Sequence, residues 1–165
     1  MKIKRKFGEL FILYVRIYSK ETSTDPFLQK LIHTNISNPY VAYKIQRILK
    51  SLRDYGEDLA RQQNLLVEKY GTPILDKDGK DSRQKQVLPS NLEKYNEYQK
   101  ELKSFLGQED EFEFEYLLTL SDLKEFEPSA NNIDILNPIL DQEKIKTEIE
   151  IEDQLKNKTE SENQK

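Results

Sequence analysis

The chain has 165 residues, of which 36% are hydrophobic and 34% charged, with a net charge of −4 and neither cysteine nor tryptophan. This balance fits one folded unit with a thin core and a polar, unstructured part, and the acidic excess argues against a general nucleic-acid binder. Without cysteine there are no disulfides, thiol nucleophiles or thiolate metal sites, as suits a reducing cytosol.

Residues 1–7 alternate Ile3 and Phe7 with Lys2, Lys4 and Lys6, the pattern of a short edge strand guarded by lysines. The basic start and the apolar run Leu10 to Ile17 look superficially like a secretory leader. Arg16 interrupts that run, no small-residue cleavage site follows, and the stretch is too short to span a bilayer. Residues 9–20 read as a helix, since Leu10, Leu13, Tyr14 and Ile17 follow the i, i+3, i+4, i+7 spacing. A strand is the rival reading, because Phe11, Val15 and Tyr18 are strand formers on another side. A further helical turn is expected over Phe27 to Ile32, followed by a connector. The single histidine, His33, falls at its edge and has no visible partners for ligation or base chemistry.

Asn38-Pro39 is a strong helix start, a capping residue followed by proline at the first helical position. From there a helix is predicted to Tyr70, with Gly71 as a left-handed stop, roughly 48 Å long at 1.5 Å per residue. Val41, Ile45, Ile48, Leu49, Leu52, Tyr55, Leu59, Leu66, Val67 and Tyr70 share an arc of about 120°. Gly56 lies inside that arc, either as a tolerated defect or as the site of a close approach by another backbone. Lys44, Arg47, Lys50 and Arg53 fall outside it and form a candidate basic patch. They are spread around half the circumference, and Asp54, Glu57 and Asp58 follow at once, so a solvated face is the simpler reading.

Asp78-Gly79 between two strand-capable arms, Pro73-Ile74-Leu75 and Gln86-Val87-Leu88, predicts a hairpin. Asp76, Asp78 and Asp81 hint at calcium, but Gly79 and Val87 fall where a calcium loop would need other residues. A second helix follows from Ser90 to Leu106, opened by the capping box Ser90-Asn91-Leu92-Glu93 and closed by Gly107. Its apolar face holds Leu92, Tyr95, Tyr98, Leu102, Phe105 and Leu106. Packed antiparallel, it would set Leu92 or Tyr95 near Leu66 and Leu102 near Leu59. The helix at 9–20 would then cover Val41 to Leu52.

Residues 111–116 alternate Glu111, Glu113 and Glu115 with Phe112, Phe114 and Tyr116, which marks a half-buried strand. The glutamates complement the lysines of the first strand, so residues 2–7 are expected to pair with 111–118. A carboxylate acid–base site is the rival reading, but no histidine or cleft motif accompanies it. Ser121-Asp122-Leu123 opens a turn, and Ser129 or Asn131 can cap a last helix that Pro138 shortens. Residues 142–165 are polar and read as disordered, so their removal is expected to leave stability unchanged. The expected division is thus one folded unit over 1–141 and a polar tail over 142–165.

No glycine-rich phosphate loop, zinc spacing or nucleophile elbow occurs. No catalytic, metal or cofactor-binding residue is therefore assigned, no cofactor is expected, and an enzyme is disfavoured.

The long helix opening Pro39-Tyr40-Val41-Ala42-Tyr43, its end Val67-Glu68-Lys69-Tyr70-Gly71, the Asp-Gly hairpin, the acidic strand and Ser121-Asp122-Leu123 together form an order similar to a family of small proteins of unknown function encoded by tailed bacteriophages and prophages. The similarity covers about residues 38–140. The segment around 20–37 is longer than in that pattern, and the part after Asp141 is additional. The resemblance implies a phage origin, and with it the cytoplasm of a bacterial host or association with a virion. It supplies no activity and no site residues.

The reading that results is α+β: a long antiparallel helical hairpin, in coiled-coil-like contact, with a small antiparallel sheet at one end and a disordered tail. The expected function is that of a non-enzymatic accessory protein acting by protein–protein contact with a phage or host protein or with itself, in virion assembly or host interaction. An incompletely covered strip of the long helix would be the contact surface. The alternative is a nucleic-acid-associated protein using Lys44, Arg47, Lys50 and Arg53. No membrane contact is expected.

Overall fold

A computed structural model describes residues 1–19, 25–33, 36–75 and 77–162, with side chains to 154. The long helix α3, Pro39–Tyr70, is its axis. Asn38 caps it, its side chain accepting from the amides of Tyr40 and Val41 at 3.0 and 3.4 Å, and Pro39 begins it as the sequence predicts. Gly71 ends it in extended rather than left-handed backbone (φ −74°, ψ 153°). A Cβ there would lie 2.5 Å from the Val67 carbonyl oxygen, so glycine serves close packing against the last turn.

The first strand β1, Lys2–Lys6, runs directly into α1, Phe7–Tyr18, which decides for helix over strand. Leu10, Leu13 and Ile17 are buried on it. The second helix α2, Pro26–His33, contributes Leu28 and Leu31 to the core. Along α3 the expected apolar strip is spent internally: Ile45, Ile48, Leu52, Leu59 and Tyr70 are buried and the other members half-buried. That strip is not a free contact surface.

After α3 comes the hairpin of β2, Thr72–Leu75, and β3, Asp81–Gln86. Thr72 pairs with Gln86 and Leu75 with Asp81, so the second arm begins earlier than the apolar pattern suggests. Gly79 supplies the positive φ of the turn (75°). Asp76, one of the three carboxylates considered for calcium, lies outside the described residues.

The helix α4, Leu92–Leu106, starts two residues after the expected Ser90, because the cap moves by one: the capping side chain is Asn91, accepting from the Lys94 amide at 3.3 Å. It lies beside α3, but the register is slid. Tyr70 donates to Glu101 at 2.7 Å and stacks edge-on with Tyr98 at 6.4 Å, whereas the expected alignment set Leu102 beside Leu59. The β2–β3 hairpin folds back over the end of α3, with Lys85 Nζ donating to the Glu68 carbonyl at 3.0 Å. The first turn of α4 therefore overhangs α3, and Leu92, expected in the core, is 67% exposed.

The strand β4, Glu109–Glu113, pairs antiparallel with β1, Lys2 opposite Glu113 and Lys6 opposite Glu109. Lysines and acids face each other on its outer side, as the alternation requires, with Lys2 Nζ 3.6 Å from Glu111. Phe112 and Phe114 are buried on the inner side. A four-residue helix α5, Leu120–Leu123, a 3-10 turn and α6, Ala130–Leu136, close the far end. Ser129 caps α6, and the turn holding Pro138 terminates it.

A last helix α7 spans Gln142–Glu162, and its first turns pack on the rest of the fold. Ile145 is buried, and Glu148 accepts from the amide of Leu120 at 2.9 Å and from the Ser121 hydroxyl. With the Ser121 amide, at 3.4 Å from the same carboxylate, these contacts cap the α5 start and help offset the ordering of the first two turns, which composition alone cannot show. Side chains 155–162 and residues 163–165 of the expected tail lie outside the described residues.

Candidate functional site

The four cations proposed as a patch do not form one exposed surface. Lys44 is buried, one turn and a half into α3, and its ammonium pairs with the buried Asp122 carboxylate. The same Asp122 oxygen accepts from the Thr119 amide and hydroxyl at 2.8 Å each, in the capping box of α5. This triad ties α3 to the far end of the fold, and each charge is compensated where it is buried. Arg47 is half-exposed and bridges to Glu115 at 2.6 Å. Lys50 pairs with Asp54 at 3.0 Å. The Arg53 guanidinium lies 4.6 Å over the Tyr18 ring, a cation–π contact. Geometry thus commits all four to intramolecular partners.

Beside Arg47 stands a surface that the sequence reading did not single out. Tyr40 and Tyr43, on the first two turns of α3, are 61% and 48% exposed. Tyr116, from the segment after β4, sits between them, its ring centroid 6.4 Å from Tyr40 and 6.1 Å from Tyr43, both edge-to-face. Arg47 follows Tyr43 by one turn on the same side, and its salt bridge to Glu115 fixes the residue next to Tyr116. The bond from Arg47 holds the Glu115 carboxyl below the usual carboxylate range, and the Glu115 contact pushes the Tyr116 phenol up. The i, i+3, i+7 spacing of Tyr40, Tyr43 and Arg47 off the apolar arc was a legible signal. Tyr116 was not, because it arrives from 73 residues beyond Tyr43 (116 minus 43).

Two concave regions accompany this surface. An open groove of about 850 Å³ runs between β1, α1 and α6, past Arg5, Ile12, Arg16, Asp134 and Pro138. A shallower apolar one of about 670 Å³ lies along α4 at Gln99, Leu102 and Leu106. Glu111, Glu113 and Glu115 point outward, with Glu111 and Glu115 in ion pairs, not converging on a cleft. His33 is exposed at the end of α2. Among the described residues no group of three or more His, Cys, Asp or Glu is placed to hold a metal, and no helix is long and apolar enough to cross a membrane. Compared with family models, curated proteins and solved structures, the chain has no match.

Proposed function

We propose that this chain is a small, non-enzymatic phage accessory protein that works by protein–protein contact, in virion assembly or on a host protein in the bacterial cytoplasm, through the surface of Tyr40, Tyr43 and Tyr116. The phage setting rests on the sequence resemblance. The contact reading rests on the tyrosine cluster: three large rings in edge-to-face contact, beside an Arg47–Glu115 pair. Tyrosine and arginine dominate binding hot spots because they offer large contact area with little entropy loss. The nucleic-acid alternative has less support, since Lys44, Arg47 and Lys50 face carboxylates of their own chain and Arg53 lies over the Tyr18 ring.

A photo-crosslinking residue placed at position 40 tests the reading in infected or prophage-bearing cells. The expected product is a discrete protein adduct, resistant to nuclease, with none formed from the exposed position 75. A nuclease-sensitive adduct, or none at position 40, would overturn it.

A further inference from the structure

The flank of α4 that faces away from α3 carries a second pattern. Leu92, Tyr95, Gln99, Leu102 and Leu106 sit at −7, −4, 0, +3 and +7 from Gln99. Spacing of this kind forms a single stripe along a helix. Leu92 and Gln99 are exposed, Tyr95, Leu102 and Leu106 half-buried, and the last part of the stripe borders the apolar groove. The stripe is uncovered because the register slide leaves the first turns of α4 projecting past Tyr70.

The stripe reads nearly the same in both directions. Reversal about Gln99 places Leu92 on Leu106 and Tyr95 within one residue of Leu102. That is the requirement of a two-fold, antiparallel contact, in which one patch meets itself. The rim agrees in charge: reversal brings Glu93 of one copy within a turn of Lys103 of the other, and Gln99 meets Gln99, whose amide can both donate and accept. We infer that a second copy of this chain docks here, α4 against α4, with the dyad at Gln99. This surface lies on a different helix from the tyrosine cluster and leaves it free in each copy. A helix pair roughly 22 Å long falls short of the roughly 1,200 Å² buried in standard interfaces, so the dimer forms and dissociates with concentration.

Because the chain has no cysteine, Gln99→Cys introduces a single thiol on the dyad, within reach of its mate. Glu97→Cys, on the opposite side of α4, is the control. Under mild oxidant Gln99→Cys should form a disulfide-linked dimer at least about tenfold faster than Glu97→Cys. The light-scattering mass of the unmodified full chain should rise with concentration, and Leu102→Glu should abolish that rise without lowering helical content. Equal crosslinking rates at positions 97 and 99, or a monomer mass at every concentration, would overturn the inference.

Discussion

Gly56 lies where α1 crosses α3. A Cβ there would fall 2.1 Å from Cγ of Tyr14, the base of a ring that stacks on Phe11 and tilts against Tyr18. The close approach is therefore by a side chain rather than by backbone. Gly56→Ala gains up to about 1 kcal/mol of helix propensity yet should destabilise by about 1–3 kcal/mol through overpacking. In a Tyr14→Ala background the same substitution should become stabilising, which urea melts of the four proteins can check. Tyr18, one turn on, donates to the Leu49 carbonyl at 2.9 Å, and burial pushes its phenol up despite Arg53. A raised phenol favours the protonated folded form. Its contribution is fully present below the unfolded value near ~10 and is lost as pH rises through the folded one. Tyr18→Phe should therefore flatten the fall in melting temperature above that pH. An unchanged slope would show that other groups carry it.

At the scale of elements, the phase of α3 was legible and its neighbours' positions only partly so. A 3.6-residue period separates Leu59, 6% exposed, from Leu65, 61% exposed. Leu59→Ala should cost about 2–4 kcal/mol and Leu65→Ala under about 0.5 kcal/mol. Comparable losses would mean the outer face is buried. The Asn38 cap and the strand alternation were equally legible, because the Asn38-Pro39 pair and the Glu–Phe repeat act locally; the α4 cap, at Asn91 rather than Ser90, was not. The slide of α4 was not, since it is set by Lys85 folding over Glu68, nor was the burial of Lys44, whose partner Asp122 lies 78 residues away. A helical wheel assigns Lys44 to solvent because it sees only the period. The docking of the first turns of α7 was not legible for the same reason: Ile145 and Glu148 look isolated until α5 is beside them. Truncation after Asp141 should lower the melting temperature by about 5–10 °C, from lost apolar burial and a lost cap. Truncation after Gln154 should leave it within about 2 °C. Equal midpoints for the two truncations would contradict the docking of α7.

Across the whole molecule, the long helix has two fates. Its apolar strip and three of its four clustered cations are absorbed by α1, α5 and the segment after β4. What remains outward at its start is aromatic. The β1–β4 pair and the buried Phe112 and Phe114 anchor the start of the segment that delivers Tyr116, and a site placed before its partner arrives has a lower ordering cost of binding. That arrangement is the central claim: Tyr40 and Tyr43 stand exposed, Tyr116 is half-buried between them, and the outer faces of the three serve contact. Tyr43→Ala with Tyr116→Ala, carried by the chain with the photo-crosslinker at position 40, tests it most directly. The melting temperature should fall by only about 3–6 °C, from the lost packing of the half-buried Tyr116, while the protein adduct disappears. A melting temperature lower by about 8 °C or more, or an adduct that persists at full yield, would contradict the account.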